Sequence, residues 1–386
     1  MNQTGQRSKE SRLPCLDGLR AISILFVVVS HCQHTINGGL PFLVGFLFAK
    51  GGLGVFIFFV LSGYLITWLL RQERERTGSI SLRAFYARRA IRIFPAFYTY
   101  LGVLILLCAL GVFYIRKQHF LWAGIYLWNY EHLWDSEPAV GVGFRFLGHL
   151  WSLSLEEQFY LLWPGALVLL GLRRAVFAAL ALVLFMPVSR VLTYFLFPGS
   201  RGQVFMMVHT GADALMFGCL LALCQGHPGL EAAFERFRRP AWPIIAALLA
   251  WIALPELQSA LPGHLSGAFD LTIGRTLSGL CIAFVVGWLL RHPTSVAGRF
   301  LNTRLLVHTG VLSYSIYLWQ TLFLAPENRS WAGRFPLNLV CLLAVAHLSY
   351  WLVEKPCRNL RNRFRAGTGA LPKSIVVPAS EMSNAG

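Results

Sequence analysis

Apolar runs of about twenty residues, repeated along almost the whole chain, limit its fold more than any other feature. The runs cover residues 19–36, 52–70, 94–115, 150–171, 175–197, 205–225, 241–257, 270–290, 305–324 and 335–353. A helix of about 20 residues crosses a hydrocarbon core about 30 Å thick. Only 13% of the residues are charged, against about a quarter in soluble domains. The sequence therefore predicts an all-α polytopic membrane helix bundle of about ten transmembrane helices.

The distribution of basic residues predicts the orientation of these spans. With a cytoplasmic N-terminus, 25 of the 34 Lys and Arg residues fall in cytoplasmic segments, as the positive-inside rule requires. Those segments are residues 1–20, 71–92, 172–174, 227–240, 291–304 and the tail from 355. We predict a multi-pass protein of the inner (plasma) membrane with both termini cytoplasmic. The net charge of +17 then follows from topology, and no nucleic-acid partner is expected.

The chain reads as one membrane domain with a short tail. No repeat of fixed period and no appended soluble domain interrupts residues 1–365. Residues 366–386 are rich in Gly, Ala, Ser and Pro, which predicts a disordered cytoplasmic tail. The first apolar run lacks a small-residue cleavage site and is expected to be a retained helix. The eight scattered cysteines include no Cys-x-x-Cys, so neither a zinc site nor a disulfide framework is indicated.

The first apolar run carries two ionisable residues at a helical spacing. In LDGLRAISILFVVVSH (16–31), eleven steps separate Arg20 from His31, which puts both on one helical face about 16 Å apart. Arg20 suits an anion at the cytoplasmic mouth, and a deep histidine suits a general base. Alternatively, Arg20 only flanks the membrane and His31 is a structural hydrogen-bonding residue. His34 makes a lone His-x-x-His with His31, which is too weak a motif to predict a metal site.

A basic stretch precedes the third apolar run. FYARRAIRIFP (85–95) contains Arg88, Arg89 and Arg92. Arg88 and Arg92 are four residues apart and share a helical face, which would form a fork for phosphate groups. The alternative is topology alone, because cytoplasmic loops are basic in general.

Acidic residues also lie inside the predicted spans, where each is a functional candidate by default. Glu156 and Glu157 are adjacent in HLWSLSLEEQFYLLWP (149–164). Neighbours on a helix point about 100° apart, so the two cannot share a face, and one of them is expected to face the interior. Asp213 lies among apolar residues in HTGADALMFG (209–218). Each acid could orient a catalytic base or simply pair with an arginine.

The second run contains small residues in GGLG (51–54) and FFVLSGYLIT (58–67). Small residues allow close approach of a neighbouring helix or of a ligand. Packing is the simpler explanation.

Six ordered motifs resemble the acyltransferase 3 family of membrane O-acyltransferases over residues 13–365. They are LDGLRAISILFVVVSH, GVFIFFVLSGYLIT, FYARRAIRIFPAFY, WSLSLEEQFYLLWP, LSYSIYLWQ (312–320) and LVEKPCRNL (352–360). The resemblance implies transfer of an acyl group from acyl-coenzyme A or a related thioester to a hydroxyl. Acceptors in the family include cell-surface glycans, lipid-linked sugars and some macrolides.

The resemblance also implies roles for individual residues. His31 would be the catalytic base, and Arg20 would stabilise the donor or its thioester. The catalytic acidic residue of the fourth helix would correspond to Glu157, with Glu156 the weaker match. The coenzyme phosphates would bind Arg88, Arg89 and Arg92.

Two positions depart from the family pattern. The Tyr-Leu-Trp motif commonly ends in His, whereas this chain has Gln320, which we interpret as a hydrogen-bonding position. An Arg usually stands two residues before the acid of the sixth span, whereas this chain has Gly211. Asp213 is therefore expected to lack its usual partner, and we assign it no catalytic role.

The sequence as a whole predicts a membrane O-acyltransferase. It would move a short acyl group, such as acetyl, from acyl-CoA to a hydroxyl of a carbohydrate or glycolipid at the cell surface, without a metal. A transporter or flippase of a glycolipid or acyl group is the alternative, because many helices with few buried charges suit it too. Against it, the sequence shows neither paired inverted halves nor matching broken helices. A receptor or scaffold would leave Arg20 and His31 unexplained.

Overall fold

The computed structural model describes residues 14–32, 35, 51–134, 142–236, 242–326, 328 and 330–359. Every regular element in these ranges is helical, which confirms the predicted all-α class. The α-helices are α1 (Pro14–Cys32), α2 (Gly51–Thr77), α3 (Leu82–Ala109), α4 (Lys117–Gly124), α5 (Val142–Gly148), α6 (Leu150–Leu196), α7 (Val208–Gly211), α8 (Asp213–Leu223), α9 (Pro228–Arg236), α10 (Trp242–Ala260), α11 (Gly263–Phe269), α12 (Arg275–Arg291), α13 (Val296–Leu301), α14 (Arg304–Leu324) and α15 (Leu337–Ser349). Short 3₁₀-helices occur at Trp128–Leu133, Pro198–Gln203 and Trp331–Gly333, and π-helical turns at Asp270–Gly274 and Tyr350–Glu354.

Six helical segments in the described part of the chain are long and apolar enough to cross a membrane. They are Cys15–Cys32, Gly51–Thr77, Leu82–Ala109, Arg145–Leu196, Gly263–Arg291 and Leu337–Asn359. Shorter apolar helices occupy Asp213–Leu223 and Ile245–Leu254. Each predicted span overlaps a helix, but the predicted count of about ten is not confirmed. The chain is a multi-pass membrane protein.

Apolar side chains on the outside of the bundle fit this environment. Leu161, Leu169, Phe177 and Phe195 all point outward from α6, and Leu169 is 84% exposed. So large an apolar surface is unfavourable in water but not in hydrocarbon. The residues therefore suit contact with lipid.

Helix α6 is interrupted at Gly171, where the sequence predicted a boundary between two spans. The backbone there has φ 73° and ψ 164°, between helical arms on either side. Residues with a Cβ atom rarely adopt this conformation, so glycine is required at the break. Arg173 and Arg174 follow it after one residue, Leu172.

Replacing Gly171 by alanine is expected to destabilise the protein by about 1–3 kcal/mol, because the side chain strains this backbone conformation. Gly165→Ala is a matched control in the first arm of α6, where an added Cβ meets open space. That change is expected to be neutral or stabilising by up to about 1 kcal/mol, since alanine is the better helix former. Melting temperatures of the purified proteins in detergent compare the two. Equal effects of both substitutions would contradict the assignment of strain to Gly171.

The helices that carry the candidate residues pack with their backbones in contact. Helix α1 packs most extensively on α14, and α2 on α8. A Cβ added at Gly310 of α14 would lie 1.9 Å from the carbonyl oxygen of Asp17 in α1. A Cβ added at Gly63 of α2 would lie 2.0 Å from the carbonyl oxygen of Leu215 in α8. The packing explanation for the small residues of the second run therefore holds at Gly63.

Candidate functional site

The inward face of α1 carries Arg20 and His31 on one uninterrupted helix, as their spacing predicted. Arg20 is largely buried, with a guanidinium nitrogen 3.6 Å from the carboxylate of Asp17. It also interacts electrostatically with Glu156 of α6 and Arg92 of α3. One end of the α1 face therefore meets a charged region built by α3 and α6.

His31 lies near the other end of this face and is partly buried. Its Nδ1 atom is 2.9 Å from the carbonyl oxygen of Val27, one turn earlier. Because a carbonyl can only accept a hydrogen bond, Nδ1 carries the proton of the neutral ring. This leaves Nε2 as the nitrogen that can take a proton, which is the state a general base needs. His34 lies outside the described residues.

The three arginines of α3 have different surroundings. Arg88 donates to a Glu73 carboxylate oxygen at 3.0 Å, an ion pair that links the end of α2 to the start of α3. Arg89 lies deeper and donates to Glu157 at 3.3 Å. Its guanidinium carbon also stands 3.1 Å from the ring centroid of Tyr160. Two of the three predicted phosphate ligands are thus already paired with carboxylates.

Arg92 is the most accessible of the three arginines. It is repelled electrostatically by Arg20, Arg89 and Arg358, the last from the segment that follows the final π-helical turn. We call these four residues the arginine cluster. Side chains of like charge that converge in this way favour the binding of an anion between them.

Glu156 and Glu157 both have partners inside the bundle. Glu157 pairs with Arg89, and Glu156 hydrogen-bonds to Ser62 of α2. Ser62 also hydrogen-bonds to Tyr160, one turn further along α6. We expected one of the two glutamates to face the interior. Both do, because α2 covers one side of this part of α6 and α3 covers the other. The two carboxylates meet these different neighbours.

A third acidic residue contacts the same region from the final π-helical turn. Glu354, in the final π-helical turn, is buried and accepts a hydrogen bond from Ser315 of α14. The adjacent Tyr314 donates to the carbonyl oxygen of Ile93 at 2.9 Å. These bonds hold α14 and the final π-helical turn against α3, next to Arg92.

Asp213 has an arginine partner that the sequence did not predict. Its carboxylate accepts from Arg190 of α6 at 2.9 Å and from Thr276 of α12 at 2.8 Å. Both members of the ion pair are at most 1% exposed. Arg190 also donates to the carbonyl oxygens of Leu271 at 2.8 Å and Thr210 at 3.0 Å. Asp213 does lack the usual partner at position 211, which is Gly211, but Arg190 supplies the missing positive charge, in line with the alternative that this acid pairs with an arginine.

His149, directly before α6, is a further buried polar residue that the sequence reasoning did not single out. It interacts electrostatically with His31. Its Nδ1 atom lies 3.2 Å from the Thr321 hydroxyl of α14. Its position two residues before the fourth motif was the signal that could have identified it.

Gln320 is completely buried in α14. Among the described residues, neither atom of its amide has a hydrogen-bond partner. Its assignment as a hydrogen-bonding position stays a prediction.

Comparison with known proteins agrees with these motifs. A family model described as an acyltransferase domain, that of the acyltransferase 3 family, matches residues 13–354. O-acetyltransferase OatA of Staphylococcus aureus strain NCTC 8325 is 29% identical over 374 residues, which cover 90% of this chain and 57% of that protein. A putative O-acetyltransferase of S. aureus strain COL is 29% identical over 388 residues, which cover 93% of this chain and 60% of that protein.

The chain thus spans less than two thirds of the length of these curated relatives. No solved structure matches it. The family model nevertheless covers nearly all of the helical bundle, including the face of α1 and the arginines of α3. The chain belongs to the acyltransferase 3 family.

Proposed function

We propose that this protein is a membrane O-acyltransferase. It moves a short acyl group, acetyl or similar, from acyl-CoA to a hydroxyl of a carbohydrate or glycolipid of the cell surface. The observation that carries the proposal is the state of His31, whose Nδ1 atom is fixed on the Val27 carbonyl oxygen on the helix that also presents Arg20. The relatives named O-acetyltransferases support an acetyl donor and a hydroxyl acceptor.

The donor phosphates are proposed to bind at the arginine cluster and at Arg88. A coenzyme A phosphate is an anion that arginine binds through paired hydrogen bonds. Arg92 would bind a phosphate first because it is the most accessible. Arg88 and Arg89 would either give up their carboxylate partners for a phosphate or bind the carboxylate and the phosphate together. Glu157 is proposed to position Arg89 against Tyr160, and Arg20 to stabilise the thioester end of the donor.

The chemical step follows from the tautomer of His31. Nε2 removes the proton of the acceptor hydroxyl while its oxygen attacks the thioester carbonyl carbon. The new C–O bond forms, the C–S bond breaks, and the coenzyme leaves as a thiolate that takes the proton back from His31. The apolar bundle around this site restricts water, which favours transfer to the acceptor over hydrolysis.

The proposed cellular setting is the inner membrane, with both termini cytoplasmic and membrane lipids as the surroundings. The cytoplasmic distribution of basic residues supports it. The tail beyond residue 365 is proposed to be a separate disordered segment, and it lies outside the described residues. Labelling of a cysteine introduced after Asn359 with a membrane-impermeant reagent, in a variant without native cysteines, tests the orientation. Labelling in intact cells would reject it.

The activity is tested directly with membrane vesicles that contain the protein, radiolabelled acetyl-CoA and envelope glycans from cells that lack it. Label should enter the glycan fraction only with the protein present, and mild base should release it as acetate, as expected of an ester. Transfer to no hydroxyl acceptor, together with movement of a glycolipid between leaflets, would favour a transporter instead.

The pairing of the α3 arginines predicts different kinetic effects along that helix. Arg92→Ala should raise KM for acyl-CoA by about 10- to 100-fold, since a hydrogen bond to a charged group contributes about 1.5–3 kcal/mol. Arg88→Ala should raise it much less, because Arg88 is already paired with Glu73. Initial rates at varied acyl-CoA concentration measure both. A larger effect at Arg88 than at Arg92 would contradict the proposed order.

A further inference from the structure

A cavity opens between the end of α3 and the chain that leads into α4. Its volume is about 680 Å³, within the range of about 300–1,000 Å³ that is typical of ligand sites. Both segments contribute apolar side chains to its wall, namely Ile105, Cys108, Ala109, Ile115 and Phe120. A wall of this kind favours a hydrocarbon chain over a polar metabolite.

Three consecutive polar residues also line the cavity, and they are Arg116, Lys117 and Gln118. Arg116 is partly buried, whereas Lys117 and Gln118 are exposed. The cavity therefore joins an apolar wall to two adjacent positive charges and to an amide that both donates and accepts hydrogen bonds. This combination matches a molecule with a hydrocarbon tail and an anionic head.

Topology does not explain the two basic residues. In the proposed orientation they lie at the non-cytoplasmic end of α3, where lysine and arginine are scarce. Of the 34 basic residues, 25 lie in the cytoplasmic segments, and Arg116 and Lys117 are the only adjacent pair among the others. A local anionic ligand accounts for a basic pair at this point, whereas the positive-inside rule does not.

The surroundings of the cavity suit a lipid of the bilayer. Ile105 and Leu106, near the end of α3, are 51% and 55% exposed, as expected of side chains that contact acyl chains. Tyr114, which also lines the cavity, is 77% exposed, and tyrosine is enriched where a membrane meets water. A lipid thus has a sideways path into the cavity, with its head toward the water.

The segment that follows the cavity returns to the candidate site. The Tyr98 hydroxyl of α3 donates to the carbonyl oxygen of Gly124, at the end of α4, at 3.0 Å. Two residues later, the carbonyl oxygen of Tyr126 accepts from Gln158 of α6 at 2.8 Å. Gln158 directly follows Glu157 of the candidate site. A ligand between α3 and α4 would therefore brace a segment that packs beside this site.

We propose that the cavity binds an anionic phospholipid of the surrounding membrane. Its phosphate accepts hydrogen bonds from Arg116, Lys117 and Gln118, and one of its acyl chains lies along Ile105 and Phe120. The bound lipid stabilises the packing of α4 against α3. Because lipid binding requires no acyl transfer, this inference holds or fails independently of the proposed function.

The test measures lipid binding to the purified full-length chain in detergent, by native mass spectrometry and by the shift in melting temperature. Phosphatidylglycerol should bind about 10- to 30-fold more tightly than phosphatidylcholine with the same acyl chains, since each basic residue near an anionic head contributes about fivefold. Phosphatidylglycerol should also raise the melting temperature more at equal concentration. Equal binding of the two lipids would overturn the proposal.

Variants then assign the preference to this cavity. Arg116→Gln combined with Lys117→Gln should abolish the preference for phosphatidylglycerol. Arg201→Gln is the matched control, at an exposed arginine in another non-cytoplasmic turn, and should keep it. Ala109→Trp fills the cavity but leaves both charges, and should weaken phosphatidylglycerol binding by at least about fivefold.

Unchanged phosphatidylglycerol binding in the double variant or in Ala109→Trp would contradict the assignment to this cavity. The comparison of lipids on the wild type keeps the test decisive if a variant fails to fold.

Two further probes separate a phospholipid from other anions. Displacement of phosphatidylglycerol by an equal amount of a polyprenyl phosphate would overturn the choice of a phospholipid and favour a lipid-linked sugar. Displacement by inorganic phosphate would show that the apolar wall contributes nothing to binding, which would also overturn the proposal. Failure of both probes to displace phosphatidylglycerol supports it. The vesicle transfer assay measures acyl transfer separately from all of these outcomes.

Discussion

His31→Ala is expected to abolish acylation of the cell-surface glycan in cells that depend on this protein. Loss of a general base lowers rates by about 10²–10⁴-fold, enough to remove the acyl mass from the glycan spectrum. The measurement is mass spectrometry of glycans from cells that lack the protein, rescued with wild type or variant at matched membrane levels. His308→Ala is the control, since it removes an exposed histidine of α14 outside the proposed site.

Three outcomes separate the possibilities. Restoration by wild type and by His308→Ala, but not by His31→Ala, supports transfer with His31 as the base. Full restoration by His31→Ala would show that another group removes the hydroxyl proton. An unchanged acyl content, with a glycolipid accumulating on one leaflet in cells that lack the protein, would favour the flippase alternative.

The second large effect is expected at the buried ion pair between Arg190 and Asp213. Removing one member leaves the other as an uncompensated buried charge, which costs about 3–5 kcal/mol. Arg190→Met should be the more severe change, because it also removes the donors to the carbonyl oxygens of Thr210 and Leu271. Asp213→Asn should cost less, since its amide oxygen can still accept from Arg190 and Thr276. Melting temperatures of the purified proteins in detergent compare the variants.

The double variant Arg190→Met with Asp213→Leu provides the internal test. It removes both charges and should be more stable than Arg190→Met alone, while remaining below the wild type because the carbonyl oxygens of Thr210 and Leu271 lose their donor. Arg299→Met, at an exposed arginine of α13, should change stability by no more than about 0.5 kcal/mol. A wild-type melting temperature for Arg190→Met would mean that the pair contributes nothing to the fold.

Hydropathy predicted where helices lie better than where they end. The break in α6 at Gly171 falls at the predicted boundary between two spans, next to two arginines. Helix α2, however, continues from the predicted end at residue 70 to Thr77 through a charged turn. Hydropathy reports the part of a helix that suits lipid, whereas the hydrogen-bonded backbone extends beyond it. The two π-helical turns gave no signal in composition or period.

In the candidate site, too, relations along one helix could be predicted from the sequence, whereas contacts between different helices could not. The shared face of Arg20 and His31 follows from eleven steps along one helix, which spacing alone can give. The pairing of Asp213 with Arg190 joins residues of different helices, and no spacing rule connects them. Arg190 lies inside the fifth predicted span. The rule that makes every ionisable residue inside a span a functional candidate therefore applied to it as well. His149 was missed for a different reason. Its place just before the fourth motif was its one signal in the sequence, and its contact with Thr321 of α14 follows from no spacing rule.

The backbone contact between Gly310 and Asp17 limits the motions available in the proposed transferase cycle. With the carbonyl oxygen of Asp17 occupying the space of the absent side chain, α1 cannot rotate or slide on α14 without a steric clash. His31 and Thr321 are thereby carried by a single rigid body. Substrates must come to this body, and any opening between the two sides of the membrane must be made by helices that move around it.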